Sequence, residues 1–271
     1  MNNVKLIAEI GWNHLGNISL AEKMIRAAKL NGADYCKFQT WSVKNLNKGP
    51  WDSDGRKEIY KKAELTQESH IKLLKICKKY KMQFLTSVFN TKDVPFLKKI
   101  NSKIIKIPSH EIYNLKLIEE CLLNFDKVLI STGASMWSEI LRLKKLKYFQ
   151  KKATLMHCVS SYPLEDKCIN LKRIDDLKKI TSNIGYSGHA NHIHDGILAI
   201  TMGAKYIEKH FTVNQSLPGR DNKNAILPGD FKMMSEFRDK IDSMLLYKGK
   251  NMQQCEKDIY NNYRGRWSKN A

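Results

Sequence analysis

The chain has 271 residues, of which 42% are apolar and 9% aromatic, and it carries 47 basic against 27 acidic residues. This length accommodates one large core, and the composition excludes a disordered chain. No apolar run approaches the roughly 18–20 residues of a membrane span, and the first residues are not typical of a signal peptide. We therefore expect a cytoplasmic protein with no membrane partner.

The net charge of +20 raises the question of nucleic acid binding. Lysines lie mostly on the polar faces of apparent helices, and no basic motif with interleaved aromatic residues is present. We expect no nucleic acid partner, whereas a positive field attracts small anionic substrates.

The six cysteines are scattered along the chain and show no CxxC spacing. Several, such as Cys36 and Cys158, lie inside apolar runs, where a cysteine usually acts as a small buried hydrophobe. We therefore predict reduced thiols, as in a cytoplasmic protein.

Short runs of β type recur along the chain, and helical patterns lie between them. The runs span residues 4–10, 34–40, 82–87, 103–108, 127–132, 153–159, 183–187 and 205–211. The first helical pattern, 20–32, has an apolar face of Leu20, Met24, Ile25 and Ala28. The second, 68–81, repeats the pattern with Ile71, Leu74 and Ile76.

Eight strand–helix alternations predict an α/β fold of the (β/α)8 TIM barrel type, over residues 1–246. A doubly wound open sheet is the alternative. It is disfavoured because the stretch after the first strand, EIGWNHLGN, is not the glycine-rich phosphate loop of that fold.

In a barrel the functional groups gather at the carboxyl ends of the strands. Every predicted strand ends in polar or charged residues, which are Glu9, Lys37 and Gln39, Thr86 and Ser87, Lys106, Ser109 and Glu111, Ser131 and Thr132, His157, Ser160 and Tyr162, Ser187 and His189, and Glu208 and His210. A charged residue inside a buried strand needs a partner or a ligand. For any single lysine an internal ion pair is the alternative, but the whole set predicts a ligand site.

The ammonium groups of Lys37 and Lys106, with the surrounding serine hydroxyls, suit a phosphate or a carboxylated phosphate. His189 and His210 end adjacent strands, so we expect their imidazoles to meet at one divalent cation that keeps open positions for substrate.

The remaining histidines are less informative. We expect His192 and His194 to lie on a solvated loop beyond His189, and His14 to shape a turn or touch substrate. His157 is read equally as an interior residue or a ligand, and His70 and His110 have no assigned role.

Eight stretches of the chain resemble the sialic acid synthases, which make N-acetylneuraminate and related nonulosonic acids. They are IAEIGWNHLGN, GADYCKFQT, KIPSHEIYNLKLIE, LISTGAS, HCVSSYPLEDKCINL, IGYSGH, GAKYIEKHFT and LPGRDNKNAILPGDF, and they occur in family order across about residues 5–235. The resemblance implies a (β/α)8 barrel, in agreement with the strand count.

The resemblance also implies a reaction, in which phosphoenolpyruvate condenses with N-acetylmannosamine or a related amino sugar and phosphate leaves. It implies phosphoenolpyruvate binding by Lys37, Ser87, Lys106, Ser109, Ser131, Ser160 and Ser187. It places Gln39, Tyr162 and Asp221 at the sugar, the carboxylates Glu9, Glu111 and Glu208 at the reacting centre, and His189 and His210 on a divalent ion. Manganese is the expected ion, with magnesium and cobalt as alternatives.

The chain departs from the family pattern at three places. Ser160 stands where many bacterial members have asparagine, and Val88 replaces a family proline. Residues 247–271 resemble the linker to a small antifreeze-like domain that contributes an arginine to the sugar site. In its place we expect a separately encoded lid domain, a partial substitution by Arg220 or tail residues such as Arg264, or a different substrate, and a degraded, inactive relative is the remaining alternative. A homodimer is a further expectation.

Two other functions stay open at this point. One is a barrel aldolase or lyase that uses the same residues on another phosphorylated acid and needs no amino sugar. The other is a non-catalytic basic scaffold protein, which would have no need of Lys37, Lys106, His189 and His210.

Overall fold

The structure is a computed structural model, and it describes residues 4–267. Eight parallel strands follow one another around a closed barrel, and the last strand pairs with the first. The strands are β1 (Lys5–Gly11), β2 (Tyr35–Thr40), β3 (Gln83–Val88), β4 (Ile104–Ile107), β5 (Lys127–Ser131), β6 (Ala153–Cys158), β7 (Ile184–Gly188) and β8 (Tyr206–His210). The predicted (β/α)8 barrel is confirmed, with each strand within one residue of its predicted ends.

Helices follow the strands and cover the outside of the barrel. They are α1 (Ile18–Leu30), α2 (Arg56–Ala63), α3 (Gln67–Lys79), α4 (Val94–Ile100), α5 (Leu115–Asn124), α6 (Trp137–Arg142), α7 (Phe149–Lys152), α8 (Arg173–Lys178), α9 (His194–Thr201), α10 (Pro228–Met244) and α11 (Lys257–Asn262). Within residues 4–267, none of the helices combines the length and the apolar character needed to cross a membrane.

The first helix forms where its sequence predicts it. The Asn17 side chain accepts a hydrogen bond from the backbone N–H of Leu20 and so caps the start of α1. Met24, Ile25 and Ala28 are buried against the barrel, as predicted, and Gly32 follows with a φ of +88°. A positive φ suits glycine, which has no Cβ to clash in the left-handed region.

The apolar face of the third helix agrees with the prediction in part, since Leu74 and Ile76 are partly buried against the core and Ile71 is not. The residues that α3 buries are His70, Leu73 and Cys77, while Ile71 is 39% exposed. These positions follow the spacing of one helical face just as well as the predicted set. His70, to which the sequence analysis assigned no role, is buried here because both of its ring nitrogens have hydrogen-bond partners, Thr66 O and Thr40 Oγ1, each at 2.8 Å.

Two layers of side chains fill the barrel interior. The lower layer is an apolar cluster of Ile7, Tyr35, Leu85, Ile104, Leu129, Met156 and Tyr206. Since side chains alternate between the two faces of a strand, the residues two positions further on face the same interior. They are Glu9, Lys37, Ser87, Lys106, Ser131, Cys158 and Glu208. The apolar layer closes the bottom of the barrel, and the polar layer opens at the carboxyl ends of the strands.

The segment after the barrel is exposed along nearly its whole length as far as residue 267. Helix α10 packs against α1 and α9, and it ends at Met244, two residues before the predicted domain limit at 246. The division into a barrel over 1–246 and a tail over 247–271 stays a prediction, and residues 1–3 and 268–271 of it lie outside the described residues.

Candidate active site

A cavity of about 1170 Å³ lies at the carboxyl ends of the strands. All of the residues predicted to bind substrate or metal or to act at the reacting centre line it, and they are Glu9, Lys37, Gln39, Ser87, Lys106, Ser109, Glu111, Ser131, Ser160, Tyr162, Ser187, His189, Glu208, His210 and Asp221. Of the other strand-end residues, Thr86, Thr132 and His157 are buried and do not line it. Residues from every strand end therefore meet in one place, as the closed barrel requires.

Four charged residues in the floor of the cavity form an alternating chain of carboxylates and ammonium groups. Lys37 Nζ lies 2.8 Å from Glu9 Oε2 and 3.6 Å from Glu208 Oε1, and Lys106 Nζ lies 2.8 Å from Glu208 Oε2. All four side chains are buried. Neither lysine is free, so an anionic ligand has to share or replace these carboxylate contacts.

Glu9 and Glu208, the two carboxylates in this row of charges, have pKa values shifted in opposite directions. Burial raises the pKa of Glu9 to about 7, and its single lysine contact and the Gln39 hydrogen bond only partly offset the effect. Burial acts in the same direction on Glu208, but Lys106 and Lys37 outweigh it and hold the pKa of this carboxyl well below its usual range. Glu208 is therefore ionised at neutral pH.

Serine hydroxyls surround the charged residues. Ser87 accepts a hydrogen bond from Lys37 at 2.9 Å, and Ser187 donates to Glu208 at 3.1 Å. Ser109 lies 3.2 Å and Ser160 3.8 Å from the sulfur of Cys158, whereas Ser131 lines the cavity from the end of β5. Hydroxyls and ammonium groups in this arrangement can hold a phosphate or a carboxylate.

Cys158 differs from its expected role as a buried hydrophobe. It is buried, but its sulfur lies 3.8 Å from His189 Nδ1 as well as near the two serines. Burial alone would raise the pKa of the thiol, yet the contacts with His189 and Ser109 lower it to about 7. The position of Cys158 at the end of β6 was the available sequence signal.

His189 and His210 lie side by side, with ring centres 5.4 Å apart. His189 Nδ1 donates to the carbonyl of Val159 at 2.8 Å, so Nε2 has the lone pair when the ring is neutral. Burial alone would lower the pKa of His189, but the contacts with Cys158 and Val159 outweigh it and raise this pKa. The Tyr162 hydroxyl lies 2.8 Å from that Nε2, and His210 Nδ1 is buried with no hydrogen-bond partner among residues 4–267. Burial and the adjacent His189 hold the pKa of His210 well below its ordinary range, so the ring is neutral.

This donor set fits a divalent cation. Neutral imidazoles are the ligating form, and a second ring nitrogen fixed by a carbonyl is typical of histidine ligands. In residues 4–267 no group of three or more His, Cys, Asp or Glu side chains is arranged to hold a metal ion. Two protein ligands would leave the remaining positions to substrate or water.

Of the other histidines, all of which lie within the described residues, His110 alone lines the cavity. His192 bonds Asp166 at 2.7 Å, and its ring lies beside that of the exposed His194. His14 shapes a turn by accepting from the backbone N–H of Gly16 at 3.0 Å. His157 is an interior residue whose Nε2 bonds the Ile169 carbonyl at 2.8 Å.

The residues predicted to contact the sugar line the same cavity as the four charged residues of its floor. Gln39 donates to Glu9 at 2.7 Å, and Asp221 Oδ2 lies 3.5 Å from His210 Nδ1. Glu111 lines the cavity but stands apart from the lysines, and it accepts a hydrogen bond from Asn114 at 3.3 Å.

The sequence analysis missed an aromatic wall of the same cavity, formed by Trp12, Trp41, Tyr60 and Phe89. Trp12 and Trp41 each follow a strand by one residue, so the strand-end rule could have found them. Tyr60 belongs to α2, whose position over the cavity the sequence does not indicate.

Comparison with known proteins gives consistent matches. The family model described as the NeuB family matches residues 24–250. The chain is 34% identical to the N,N'-diacetyllegionaminic acid synthase of Campylobacter jejuni, over 86% of this chain and 75% of the relative. It is 32% identical to the pseudaminic acid synthase of Helicobacter pylori, over 86% of this chain and 72% of the relative.

Among solved structures, the N-acetylneuraminic acid synthetase of Leptospira borgpetersenii, a complex with citrate, superimposes with a TM-score of 0.85. The two chains are 31% identical, and the match covers 98% of this chain and 93% of that one.

Proposed function

Because the chain belongs to the NeuB family, we propose that it condenses phosphoenolpyruvate with N-acetylmannosamine or a related amino sugar. The products are a nonulosonic acid and inorganic phosphate. The observation that carries the proposal is the buried chain of Glu9, Lys37, Glu208 and Lys106 beside the imidazole pair, in one cavity.

Phosphoenolpyruvate carries two anionic groups, and the floor of the cavity offers two buried ammonium groups. Lys37 and Lys106 bind its carboxylate and phosphate, with hydrogen bonds from the cavity serines Ser87, Ser109, Ser131, Ser160 and Ser187. Both lysines are buried, and ionic contacts are stronger in such a low-dielectric setting. Gln39, Tyr162 and Asp221 hold the open-chain sugar above it, so the two reacting carbons are kept together.

The reaction forms one carbon–carbon bond. C3 of phosphoenolpyruvate attacks the aldehyde carbon of the sugar, and the aldehyde oxygen takes up a proton. Water adds at C2 and loses its protons, and the C2–O bond to phosphate breaks, so that C2 becomes the ketone of the product. The cavity carboxylates Glu9, Glu111 and Glu208 are the groups available to carry these protons, and Glu9 has the fewer ammonium contacts of the buried pair.

A divalent ion, with manganese the expected one and magnesium or cobalt the alternatives, would be held by His189 and His210 and would polarise the aldehyde. These histidines are supplied by adjacent strand ends, and Val159 fixes the orientation of His189.

The test measures phosphate release from phosphoenolpyruvate with Mn²⁺, with and without N-acetylmannosamine or a diacetamido hexose. We expect release that requires one of the sugars and is lost in His210→Ala and after chelation of the metal. His192→Ala is the matched control, since His192 bonds Asp166 outside the cavity, and it should behave as wild type. Phosphate release without any sugar would identify an aldolase or lyase instead. If no phosphate is released and the protein binds neither phosphoenolpyruvate nor a sugar, a non-catalytic scaffold is favoured.

A further inference from the structure

Trp12 links two segments that line the cavity. It follows β1 directly and is half-buried. Its indole N–H donates to Asp221 Oδ2, a residue 209 positions away in the loop after β8. The same carboxylate oxygen lies 3.5 Å from His210 Nδ1.

The ring of Trp12 makes a second contact. It stacks on the ring of Tyr60, with ring centres 5.0 Å apart and an angle of 16° between the planes. Tyr60 lies on α2, which follows β2 and contributes to the cavity wall. One side chain therefore contacts both the loop after β8 and the helix after β2.

A carboxylate at this position needs a donor that fixes its orientation. Asp221 is the residue that faces both the imidazole of His210 and the open part of the cavity. A hydrogen bond to a charged acceptor is among the stronger contacts that a neutral donor can make. Without it the carboxylate can rotate away from the position in which it meets a sugar hydroxyl.

We propose that Trp12 is a positioning residue for the sugar acceptor, because its N–H holds the Asp221 carboxylate beside His210 and its ring holds Tyr60 against the cavity. The sugar part of this inference rests on the proposed function. Phosphoenolpyruvate is bound at the floor by other residues, so Trp12 affects one substrate and not the other.

The chain contains a matched control. Trp41 belongs to the same aromatic group, and its ring centre lies 6.2 Å from the ring centres of both Trp12 and Tyr60, in edge-to-face arrangements. Its indole nitrogen is buried and bonds no group in the described part of the chain. Trp12→Phe and Trp41→Phe therefore make the same chemical change, but only the first one removes a hydrogen bond.

The kinetic experiment compares these two variants with wild type. In Trp12→Phe we expect the KM for the sugar to rise about tenfold or more, with the KM for phosphoenolpyruvate changed less than twofold. Trp41→Phe, which removes no hydrogen bond, should not raise the KM for the sugar selectively, so any change should affect both KM values in the same proportion. The double variant Trp12→Phe/Asp221→Ala should be no worse than Asp221→Ala alone, because both changes remove the same interaction. Additive losses, or equal effects on both substrates, would overturn the proposal.

A second measurement does not depend on activity. In protein labelled with ¹⁵N-tryptophan, Trp12→Phe identifies the indole signal of Trp12 by its absence. We expect Asp221→Ala to shift that signal and to speed its exchange with solvent, while the Trp41 signal stays in place. An unchanged Trp12 signal would refute the contact. If wild type releases no phosphate with either sugar, the proposed function fails, and this spectrum still decides whether Trp12 holds Asp221.

Discussion

Glu208 and Lys106 form a buried ion pair across the barrel, with 2.8 Å between Oε2 and Nζ. The other oxygen of Glu208 lies 3.6 Å from Lys37 Nζ and accepts a hydrogen bond from Ser187 at 3.1 Å. One carboxylate therefore contacts both of the lysines to which we assign the binding of phosphoenolpyruvate. The Glu208 carboxylate is a counter-charge to the ammonium groups of Lys37 and Lys106, and a substrate anion has to compete with it for their contacts.

The first prediction concerns the loss of this counter-charge. Glu208→Gln keeps the shape of the side chain but leaves Lys106 without an anionic partner. We expect the free energy of unfolding to fall by about 3 kcal/mol or more, since breaking a buried ion pair leaves an uncompensated charge. Phosphoenolpyruvate should then raise the melting temperature more in Glu208→Gln than in wild type, because it replaces the missing anion.

Glu111→Gln is the control for that measurement. Glu111 lines the same cavity and bonds Asn114, away from the two lysines. Its melting temperature should respond to phosphoenolpyruvate as wild type does. Equal ligand shifts in all three proteins would mean that Glu208 does not set the charge of the binding site.

The second prediction uses the space beside Gly133. A Cβ atom placed there would lie 2.5 Å from Ser160 Oγ and 2.9 Å from both Cys158 Sγ and Ser109 Oγ. These distances are too short, so the two serines must move in Gly133→Ala. We expect the KM for phosphoenolpyruvate to rise about tenfold or more, by analogy with the loss of charge-assisted hydrogen bonds.

Gly229→Ala is the matched substitution, since a Cβ at Gly229 meets nothing within 4 Å. It lies in the first turn of α10 and should leave the kinetics unchanged, with stability equal or slightly higher. Wild-type kinetics in Gly133→Ala would show that this corner of the cavity does not contact phosphoenolpyruvate.

The third prediction separates a structural lysine from a binding one. Lys209 is buried on the outer face of β8, where it bonds both oxygens of Asp195 at 2.9 and 2.8 Å and the Ala190 carbonyl at 2.7 Å. In Lys209→Met we expect unfolding to become easier by about 3 kcal/mol, because Asp195 stays buried without its cation. Phosphoenolpyruvate affinity, measured by calorimetry on the folded protein, should stay within about twofold of wild type.

Lys106→Met serves as the contrasting variant. It should weaken phosphoenolpyruvate binding by about a hundredfold, since it removes one of the two cations in the cavity floor. If Lys209→Met lost affinity to the same extent, the assignment of Lys106 as a specific ligand of the anion would be wrong.

The fourth prediction concerns stability at low pH. His14 is fully buried, and its Nδ1 accepts a hydrogen bond from the N–H of Gly16, so a proton on that nitrogen would break the turn. Burial, with a smaller contribution from the nearby His70, lowers the pKa of His14 from 6.5 to about 4. The unfolded chain therefore binds a proton that the folded chain excludes once the pH falls below 6.5.

The resulting stabilisation is complete above pH 6.5 and is lost as the pH falls from there towards 4. At pH 5 the loss should be about 2 kcal/mol, as 1.5 units correspond to this amount. Urea unfolding at pH 7.5 and pH 5 measures it, and His14→Gln, which can still accept from Gly16, should show a smaller difference between the two pH values. The same difference in both proteins would exclude His14 as the cause.

The sequence predicted the strands well because each is a short apolar run with β-branched residues, and this pattern depends on local burial alone. It was only partly right for α3, where Ile71 is exposed and His70, which had no assigned role, is buried with partners in Thr40 and Thr66. Polar residues can be buried wherever the fold supplies a partner, and a single sequence does not show the partner.

By itself, the sequence determined the order of strands and helices, the barrel and the set of polar residues at the strand ends. Only the tertiary structure decided that Lys106 meets Glu208, 102 residues away, and that Trp12 meets Asp221, 209 residues away. The physical reason is that strand formation follows from the local alternation of side chains, whereas these contacts exist only after the eighth strand has paired with the first. The charge that faces a substrate is therefore a property of the closed barrel.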